Sequence, residues 1–519
     1  MHRTNRRLAL LGLLGALALT AVYAGHFDNG FKFDDLHTIV SNAAIRDLAN
    51  VPSFFTDPTT SSSLPLNQAN RPVITTLNAI DYAIGGGLKP VVFHAHAFAT
   101  YLLLGGLLFV LFRRIFDVAS PDVRNGYYAL AGVALWAFHP VHAETVNYII
   151  ARADTFAALC VVAALLLWRQ GTYVIPLALG VWGKVSAAMF PFLLLVYVLL
   201  FERTKEAANR VALAFFVTTV FCLLKMGVTP EGANLVNQNL SSFDWLTTQV
   251  YVLAHYIAVF LVPVGIVADA GFEIIPRLDD SRVALGLLVN VALLGCALHA
   301  LRERRTRPIS FGIFWFWLAL APTSSLIPLW SPGTYHRLVF PYIGLVMAIV
   351  WLGALALEAN PRAKRFLVAG FLAVLCTHAY GAYVRTDLWD SAETLWYDVT
   401  LKAPRNGRGL MNYGLTQMSR GRYARAEDYF ERSRKVWPNY SYIHINLGVL
   451  KEATDKPGEA EVHYREAVRL RGDNPEAFYY LARFLNRSGR VEEARVAVET
   501  GLQLSPRHSR LVALRKLLR

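Results

Sequence analysis

Apolar runs recur along the chain from the N-terminus to about residue 385, separated by short polar stretches. A bilayer core requires about 20 consecutive apolar residues in a helix, so each long run predicts a membrane-spanning helix. A shorter run at residues 172–184 predicts a further, shorter helix. The predicted spans lie at residues 8–24, 91–112, 127–142, 146–168, 186–201, 210–228, 282–300, 309–328, 338–357 and 365–384.

Basic residues beside the apolar runs predict the orientation in the membrane. Arg3, Arg6 and Arg7 precede the first run, which places the N-terminus in the cytoplasm by the positive-inside rule. A cleaved signal peptide is the alternative, because Val22-Tyr23-Ala24 loosely resembles a small-residue cleavage site. Further basic clusters predict cytoplasmic loops at residues 113–114, 202–205, 302–307 and 362–365.

The stretch at residues 245–276 interrupts this alternation. Since Arg203 and Arg305 are both predicted to be cytoplasmic, the stretch has to return to the side on which it started. Residues 250–267 are nevertheless long enough to cross, so the stretch is re-entrant or interfacial, or a neighbouring span is miscounted. The parity then predicts about eleven spans and an extracytoplasmic C-terminus.

Beyond Arg385 the apolar runs give way to mixed charge with helical periodicity and an internal repeat. A period of 34 with small residues where two helices meet is typical of tetratricopeptide repeats. We predict three repeats at residues 405–438, 439–472 and 473–506 with a C-terminal cap helix, and such arrays present a concave groove that binds a peptide or protein. The small residues at this spacing are Gly414, Gly448 and Ala482, and also Ala426, Ala460 and Ala494.

These patterns predict an all-α protein with a polytopic membrane domain (1–385), a connecting helix (386–404) and an α-solenoid (405–519). The composition agrees, because 55% hydrophobic and 17% charged residues are too apolar for a soluble protein of this size. The net charge of +14 does not require a nucleic-acid partner, since membrane orientation accounts for the basic residues beside the spans. No disulfide framework or zinc site is indicated, because the cysteines lie in apolar runs without a CxxC pair: Cys160, Cys222, Cys296 and Cys376.

Two adjacent acids, Asp34 and Asp35, follow the first apolar run in a predicted extracytoplasmic loop at residues 25–90. The chain meets water again there, so an acidic pair is a candidate general base at the membrane surface. Ordinary solvated loop acids are the alternative. Asp35 is slightly favoured as the base, and the choice between the two is close.

Ionisable residues also gather at the turn between two predicted spans. His139, His142 and Glu144 close one span, and Arg152 and Asp154 open the next. A charge at mid-helix costs ~2.5–3.5 kcal/mol, so these groups are expected to face a cavity or to form an ion-paired cap of the hairpin. A divalent metal on the two histidines and the glutamate is a weaker alternative, because their spacing does not place all three on one helical face.

Four further residues are candidates for contact with an anion or with the membrane interface. Lys184 lies between two apolar runs, where a snorkelling lysine and a phosphate ligand are equally good interpretations. His336 and Arg337 begin a predicted helix, where an arginine beside a helix N-terminus suits phosphate and a simple interfacial anchor is the alternative. His94 also begins a span and is more typical of an interfacial polar residue.

Several segments together resemble one family: the membrane O-mannosyltransferases that carry transmembrane segments and tetratricopeptide repeats, within the GT-C group of glycosyltransferases. The most recognisable block runs from Phe-His-Pro-Val-His-Ala-Glu-Thr-Val at residues 138–146 to Arg152-Ala153-Asp154. The chain differs from the family at Val185, where the family usually has Glu, and at His336, where it also usually has Glu. The other matching pieces, in family order, are Phe33-Asp34-Asp35 with Asn42, Arg71-Pro72 with Asn78, residues 322–341, and residues 389–396.

The resemblance implies a transferase that takes a sugar from a polyprenyl-phosphate carrier and delivers it, with inversion, to a hydroxyl of a protein acceptor held at the repeat groove. It implies a bacterial-type relative in an inner membrane, with a cytoplasmic N-terminus and with the active site and the repeats in the periplasm. Asp34 or Asp35 would deprotonate the acceptor. Contacts to the donor phosphate would come from Arg337, Lys184, His336, Arg71 and Arg152, and support of the pocket from His139, His142, Glu144, Asp154 and His94.

A non-catalytic membrane scaffold is the alternative function. Such a protein would recruit extracytoplasmic partners through its repeats and would not need the acidic pair. A transporter is a weaker interpretation, because the chain lacks the internal halves that many transporters have.

Overall fold

The computed structural model describes residues 2–64, 67–228, 240–472, 474–506 and 508–518. These residues form helices joined by turns and loops, with no β-strand among them, which confirms the prediction of an all-α fold. The chain divides into two compact units. Unit 1 comprises residues 1–266 and 272–391, and unit 2 comprises residues 267–271 and 392–519.

Unit 1 begins with α1 (His2–Val22), which leads into a loop of short turns containing one small helix, α2 (Val51–Phe54). The helices that follow are α3 (Pro72–Gly85), α4 (Pro90–Ala119), α5 (Asn125–Ala137), α6 (His142–Asn147), α7 (Arg152–Leu167), α8 (Val174–Gly183), α9 (Phe190–Phe201), α10 (Lys205–Val228), α11 (Ser242–Leu261), α12 (Ser281–Ala300), α13 (Arg307–Leu320), α14 (Pro341–Ala359) and α15 (Lys364–Asp387).

By length and composition, seven of the described helical stretches can cross a membrane. They are Thr4–Val22, Pro90–Ala119, Ile149–Gln170, Lys205–Val228, Ser281–Ala300, Pro341–Ala359 and Pro361–Asp387. The other four predicted spans correspond to α5, α9, α11 and α13, of which α5, α9 and α13 are too short to meet the same length criterion. The uncertain stretch near residue 250 forms one continuous helix of 20 residues, α11. The described helices are those of a multi-pass membrane protein.

Two buried tryptophans hold the segment that precedes α14. The indole Nε1 of Trp136 donates to the Val339 carbonyl at 2.9 Å, and that of Trp315 donates to the Phe340 carbonyl at 2.9 Å. A buried indole N–H needs such an acceptor, so these bonds fix the path of the backbone as well as the ring positions. They place the short helical turn Tyr335–Val339, which carries His336 and Arg337, against α5 and α13.

Helices α13 and α14 approach each other closely through two glycines. A Cβ added to Gly344 would lie 2.7 Å from Cβ of Trp315 and would also collide with the carbonyl oxygen of Gly312. The lack of side chains at these two positions therefore allows the helix backbones to touch. This contact supports Trp315 and, through it, the start of α14.

Unit 2 contains α16 (Ala392–Lys402) and then three pairs of helices, which confirm the predicted tetratricopeptide repeats. Their small residues pack where the two helices of a pair meet; a Cβ on Gly448, for example, would lie 2.5 Å from the ring of Tyr464. The pairs are α17 (Gly407–Ser419) with α18 (Tyr423–Val436), α19 (Ser441–Ala453) with α20 (Pro457–Leu470), and α21 (Pro475–Arg487) with α22 (Val491–Leu504), followed by α23 (Ser509–Leu517).

A short segment of the loop after α11 also belongs to unit 2. The Asp269 carbonyl accepts a hydrogen bond from Asn406 Nδ2 at 2.8 Å, and the Asp269 carboxylate pairs with Arg408. Asn406 is the N-cap of α17, where its side chain accepts the Gly409 N–H. One residue therefore caps the first repeat helix and binds the inserted segment.

We expect Gly344→Ala to destabilise the membrane unit, because the new methyl group has to displace Trp315 or the α13 backbone. Overpacking of this kind costs about 1–3 kcal/mol. Gly353→Ala is the matched control, since Gly353 lies on the same helix and has nothing within 4 Å of an added Cβ. The measurement is the unfolding temperature of the purified protein in detergent, and equal temperatures for the two variants would contradict the close contact.

Candidate functional site

The loop between α1 and α3 carries the acidic pair on a constrained backbone. Phe33, directly before Asp34, has a φ of +50°, which a residue other than glycine rarely adopts. Residues 36–40 form a single π-helical turn, a feature often found at functional sites. The ring of Phe33 packs edge-on against Tyr148 at 5.4 Å and against Trp389 at 5.7 Å between ring centroids. These contacts hold a backbone conformation that costs of order 1–3 kcal/mol.

Asp35 is fully buried and joins the loop to the hairpin that precedes α7. Its Oδ2 accepts the backbone N–H of Lys32 at 3.0 Å, and its Oδ1 accepts the N–H of Ile150 at 3.0 Å. Both carboxylate oxygens are therefore engaged by the protein backbone. Asp35 fixes the position of the loop, and its carboxylate does not face solvent.

Asp34 points away from this buried bridge, and its side chain is 57% exposed. Its backbone N–H donates to the Tyr148 hydroxyl at 3.1 Å, and its carbonyl accepts the Thr38 hydroxyl at 2.6 Å. The Oδ1 atom lies 3.3 Å from Nε2 of His37, which is one helical turn further along. Adjacent positions in the sequence thus give one buried acid and one accessible acid.

A cavity lies beside Asp34. Its lining includes Asp34, His37 and Arg71, together with Thr75 and Asn78 of α3. Ile150, whose backbone N–H binds Asp35, lines the same cavity. An accessible carboxylate, an imidazole and a guanidinium therefore share one small polar space.

The two acids have opposite shifts in pKa. Burial raises the pKa of Asp35 to about 7, against the lowering effect of the two backbone N–H groups. Burial would also raise the pKa of Asp34, but the nearby His37, Tyr148 and Arg71 together bring the Asp34 pKa below its ordinary value. Asp34 is consequently ionised at neutral pH, as a general base has to be.

The predicted cluster around the hairpin separates into several pairs. Arg152 is buried and bonds through its two terminal nitrogens to Asp81 and Asn78 on α3. The other oxygen of Asp81 binds Nδ1 of His96 at 2.6 Å. Arg152 thus ties the start of α7 to α3, and its terminal nitrogens are both occupied.

Two more pairs engage the remaining charges of the cluster. Lys184 Nζ lies 2.5 Å from Asp154 Oδ1, and His336 Nδ1 lies 2.7 Å from Glu144 Oε1. The hydroxyl of Thr145 donates to the His336 carbonyl at 2.9 Å. The structure therefore links the hairpin to the turn at residues 335–339 and to the segment between α8 and α9.

Arg71 and Arg337 differ from the other basic residues of the predicted site. Neither has a carboxylate within 4.0 Å among the residues that the structure describes, whereas Arg152 and Lys184 both do. Both lie within electrostatic range of Lys184. Without such a partner, each of these two guanidiniums can bind an external anion.

The predicted histidines lie in packed surroundings. His139 is buried, donates from Nε2 to the Phe260 carbonyl at 3.2 Å and accepts the Val141 N–H. His142 bonds to the Tyr101 hydroxyl at 3.0 Å, and His94 is buried against the ring of His26 at 4.3 Å between centroids. None of the three lines the cavity beside Asp34. Within the described part of the chain, no group of three His, Cys, Asp or Glu side chains is arranged to hold a metal ion.

Sequence reasoning did not single out three residues that contact the site. His37 lies three positions after Asp34, a spacing that brings side chains together in any helical turn and could have indicated it. Tyr148 lies inside the recognisable block and contacts both Asp34 and Phe33. Asp81 has no local signal, because its partner Arg152 is 71 positions away.

Comparison with known proteins agrees with this arrangement of a helical membrane unit and a repeat array. Tetratricopeptide repeat family models match residues 378–441 and 451–518. Among solved structures, the crystal structure of MamA covers 26% of this chain and 81% of its own, with 21% identity and a TM-score of 0.23, which is too low to support an argument.

Three curated relatives are protein O-mannosyl-transferases by name, which confirms the predicted resemblance. Protein O-mannosyl-transferase TMTC4 of Mus musculus is 23% identical and covers 79% of this chain and 64% of its own length. Tmtc2 of Drosophila melanogaster is 25% identical and covers 58% and 35%, and TMTC1 of Homo sapiens is 21% identical and covers 87% and 58%. The chain therefore spans less than two thirds of the length of each of these three relatives.

We expect Asp35 to make stability depend on pH. Its folded-state pKa of about 7 lies above the value of about 3.9 for an unfolded aspartate. The stabilisation that comes from protonation of Asp35 is fully present below about pH 4 and is lost as the pH rises through about 7. Each unit by which the folded-state pKa exceeds the unfolded-state pKa corresponds to roughly 1.4 kcal/mol of stability.

Asp35→Asn removes this titration. The unfolding temperature of the wild type minus that of the variant, measured in detergent, should fall between about pH 4 and pH 7 and then level off. A difference that is constant over this range would contradict the burial of an ionisable Asp35.

Proposed function

We propose that the protein is a membrane glycosyltransferase that transfers a sugar from a polyprenyl-phosphate donor to a hydroxyl of an extracytoplasmic protein acceptor. The names of the relatives support a mannosyl residue as the sugar. One observation carries the proposal: the exposed, ionised Asp34 shares a cavity with Arg71. A base and an open cation side by side are what a displacement from a phosphate leaving group requires.

Asp34 is the general base in this mechanism. Its exposed carboxylate can reach an acceptor hydroxyl, and its lowered pKa keeps it ionised. Asp35 acts as the positioning residue, because both of its oxygens already accept backbone N–H groups. The sequence favoured Asp35 slightly, and the burial of that side chain moves the proposal to Asp34.

Arg71 and Arg337 bind the donor phosphate. Each is free of a close carboxylate among the described residues, so each can form a charge-assisted bond to a phosphate oxygen. Lys184 lies near both guanidiniums and adds positive charge, although Asp154 offsets part of it. Arg152 is bound to Asp81 and Asn78, and it orients the Asn78 wall of the cavity.

The reaction is a single displacement. Asp34 takes the proton of the acceptor hydroxyl while the oxygen attacks the anomeric carbon, and the bond to the phosphate oxygen breaks. Attack opposite to the leaving group inverts the anomeric centre. Arg71 and Arg337 stabilise the charge that develops on the leaving phosphate. A lipid-linked donor agrees with a site at the end of membrane helices and makes a nucleotide-binding fold unnecessary.

The repeat array supplies the acceptor in this proposal. Tetratricopeptide arrays bind peptides on a concave surface, and the predicted orientation places the repeats in the same compartment as Asp34. The same proposal includes a GT-C architecture for the membrane unit and an inner-membrane location for the protein. It also includes a periplasmic position for the active site and the repeats.

We expect Asp34→Asn to lower transfer by at least about 100-fold, because an amide cannot accept the hydroxyl proton. The assay follows label from polyprenyl-phosphate mannose to a Ser- and Thr-rich peptide with purified protein. Asp28→Asn is the matched control, since Asp28 is an exposed acid in the same loop and does not line the cavity. Full activity of Asp34→Asn would refute Asp34 as the base, whereas no transfer by the wild type would favour the scaffold.

We expect Arg71→Gln and Arg337→Gln each to lower kcat/KM for the donor by roughly tenfold or more, because a charged hydrogen bond contributes about 1.5–3 kcal/mol. The KM for the acceptor peptide should change less. Arg277→Gln is the control, because Arg277 is 75% exposed and pairs with Asp279 in the same unit. Equal effects of all three substitutions would argue against a specific phosphate site.

A further inference from the structure

His37 belongs to a hydrogen-bonded group that continues from the proposed base. Its Nε2 lies 3.3 Å from Asp34 Oδ1 and 3.1 Å from the amide nitrogen of Asn67. Its Nδ1 lies 2.9 Å from the hydroxyl of Ser62. Both ring nitrogens therefore have hydrogen-bond partners, and rotation of the ring would break the bonds to Ser62 and Asn67.

The hydroxyl of Ser62 favours one tautomer of His37. Ser62 Oγ lies 3.2 Å from the Leu64 carbonyl, to which it can donate its single hydrogen, and it accepts the Leu64 N–H at 3.0 Å. With its hydrogen used in this way, Ser62 accepts from the ring, and we assign the hydrogen of the neutral ring to Nδ1. In that tautomer Nε2 has a free electron pair, which accepts from Asn67 and faces the Asp34 carboxylate.

We propose that His37 is the second proton acceptor of the site and takes from Asp34 the proton that Asp34 removes from the acceptor hydroxyl. The inference rests on the proposed transferase function and extends it to a residue for which that mechanism gives no role. A second acceptor matters because a donor and an acceptor bound in the cavity that Asp34 lines would separate its carboxylate from bulk water.

The proton path is balanced. The acceptor O–H bond breaks and an O–H bond forms on Asp34 as the sugar is transferred. That O–H bond then breaks as the proton moves to Nε2 of His37, which leaves a carboxylate beside an imidazolium. The His37 side chain is 17% exposed, so the imidazolium can return its proton to water and the neutral ring is restored.

The groups around His37 favour this direction of transfer. Of the described cavity residues, those that titrate or carry charge near the ring are Asp34 and Arg71, and Asn67 and Ser62 are neutral. Asp34 stabilises the imidazolium through the ion pair that forms on transfer. Ser62 keeps the ring in the tautomer that can accept, as a second residue commonly does for a catalytic histidine.

The test uses the full-length protein and the transfer assay with polyprenyl-phosphate mannose and a Ser- and Thr-rich peptide. His37→Ala should lower kcat by roughly tenfold or more with little change in either KM, and added imidazole should restore part of the lost kcat. Asp34→Asn should not respond to imidazole. His37→Asn, chosen for an unchanged unfolding temperature, keeps a polar side chain but cannot accept the proton.

The dependence of kcat on pH separates a proton acceptor from a structural residue. This dependence should differ between the wild type and His37→Asn, because only the wild type has an imidazole that takes up and releases the proton in each turnover. In both proteins kcat should fall at the low pH where Asp34 itself is protonated.

Two results overturn the inference. One is full kcat in His37→Asn, and the other is a loss in His37→Ala that imidazole does not restore and that leaves the pH profile unchanged. In either case the proposed function still stands if Asp34→Asn is inactive and its unfolding temperature is unchanged. Transfer by Asp34→Asn at the wild-type rate removes Asp34 as the base and the inference with it, whereas a lack of transfer by the wild type removes the proposed function itself.

Discussion

The bridge formed by the Asp35 carboxylate is the interaction on which the site depends. It joins the N–H of Lys32 in the first loop to the N–H of Ile150 at the end of the hairpin, which lies 115 positions later in the chain than Asp35. A buried carboxylate without partners is expensive, so the loop has to stay in contact with the hairpin to satisfy it. Once Asp35 is fixed, the side chain of Asp34 points away from the buried bridge and lies at the surface of the cavity. The positive φ of Phe33, whose ring packs against Tyr148 and Trp389, accompanies this change of side-chain direction.

The other charges of the region divide into those that hold the structure and those that can act. Arg152 with Asp81, Lys184 with Asp154 and His336 with Glu144 connect separate helices through partly or fully buried pairs. Removing one partner of such a pair leaves an uncompensated charge, so the pairs constrain the fold even if their net stabilisation is small. Among the described residues, Asp34 remains accessible, and Arg71 and Arg337 have no carboxylate within 4.0 Å. A pure scaffold would need the pairs for its architecture, but it would gain nothing from the remaining open charges.

Local patterns predicted the architecture well. The apolar runs anticipated the long helices, and the 34-residue period anticipated three helix pairs, because both signals lie within the segment that folds. Span lengths were less predictable where the membrane unit uses short helices, as in α5 and α13, whose ends depend on contacts with other helices. The sequence also indicated the first loop and the hairpin, which the Asp35 carboxylate joins in the structure. It could not distinguish Asp34 from Asp35, since adjacent residues have nearly the same local pattern and only the distant Ile150 N–H separates them.

The same reasoning explains why His37 was missed while the hairpin histidines were prominent. His139 and His142 stand out in the sequence as polar residues beside apolar runs, yet their nitrogens serve the packing of helices. His37 lies in a polar loop where a histidine is unremarkable, and its contacts with Asp34 and Ser62 depend on how that loop folds. The conspicuous buried histidines therefore serve the packing of the helical unit. The accessible Asp34, to which we assign the base, lies in the first loop, where an acceptor and a departing proton can both reach it.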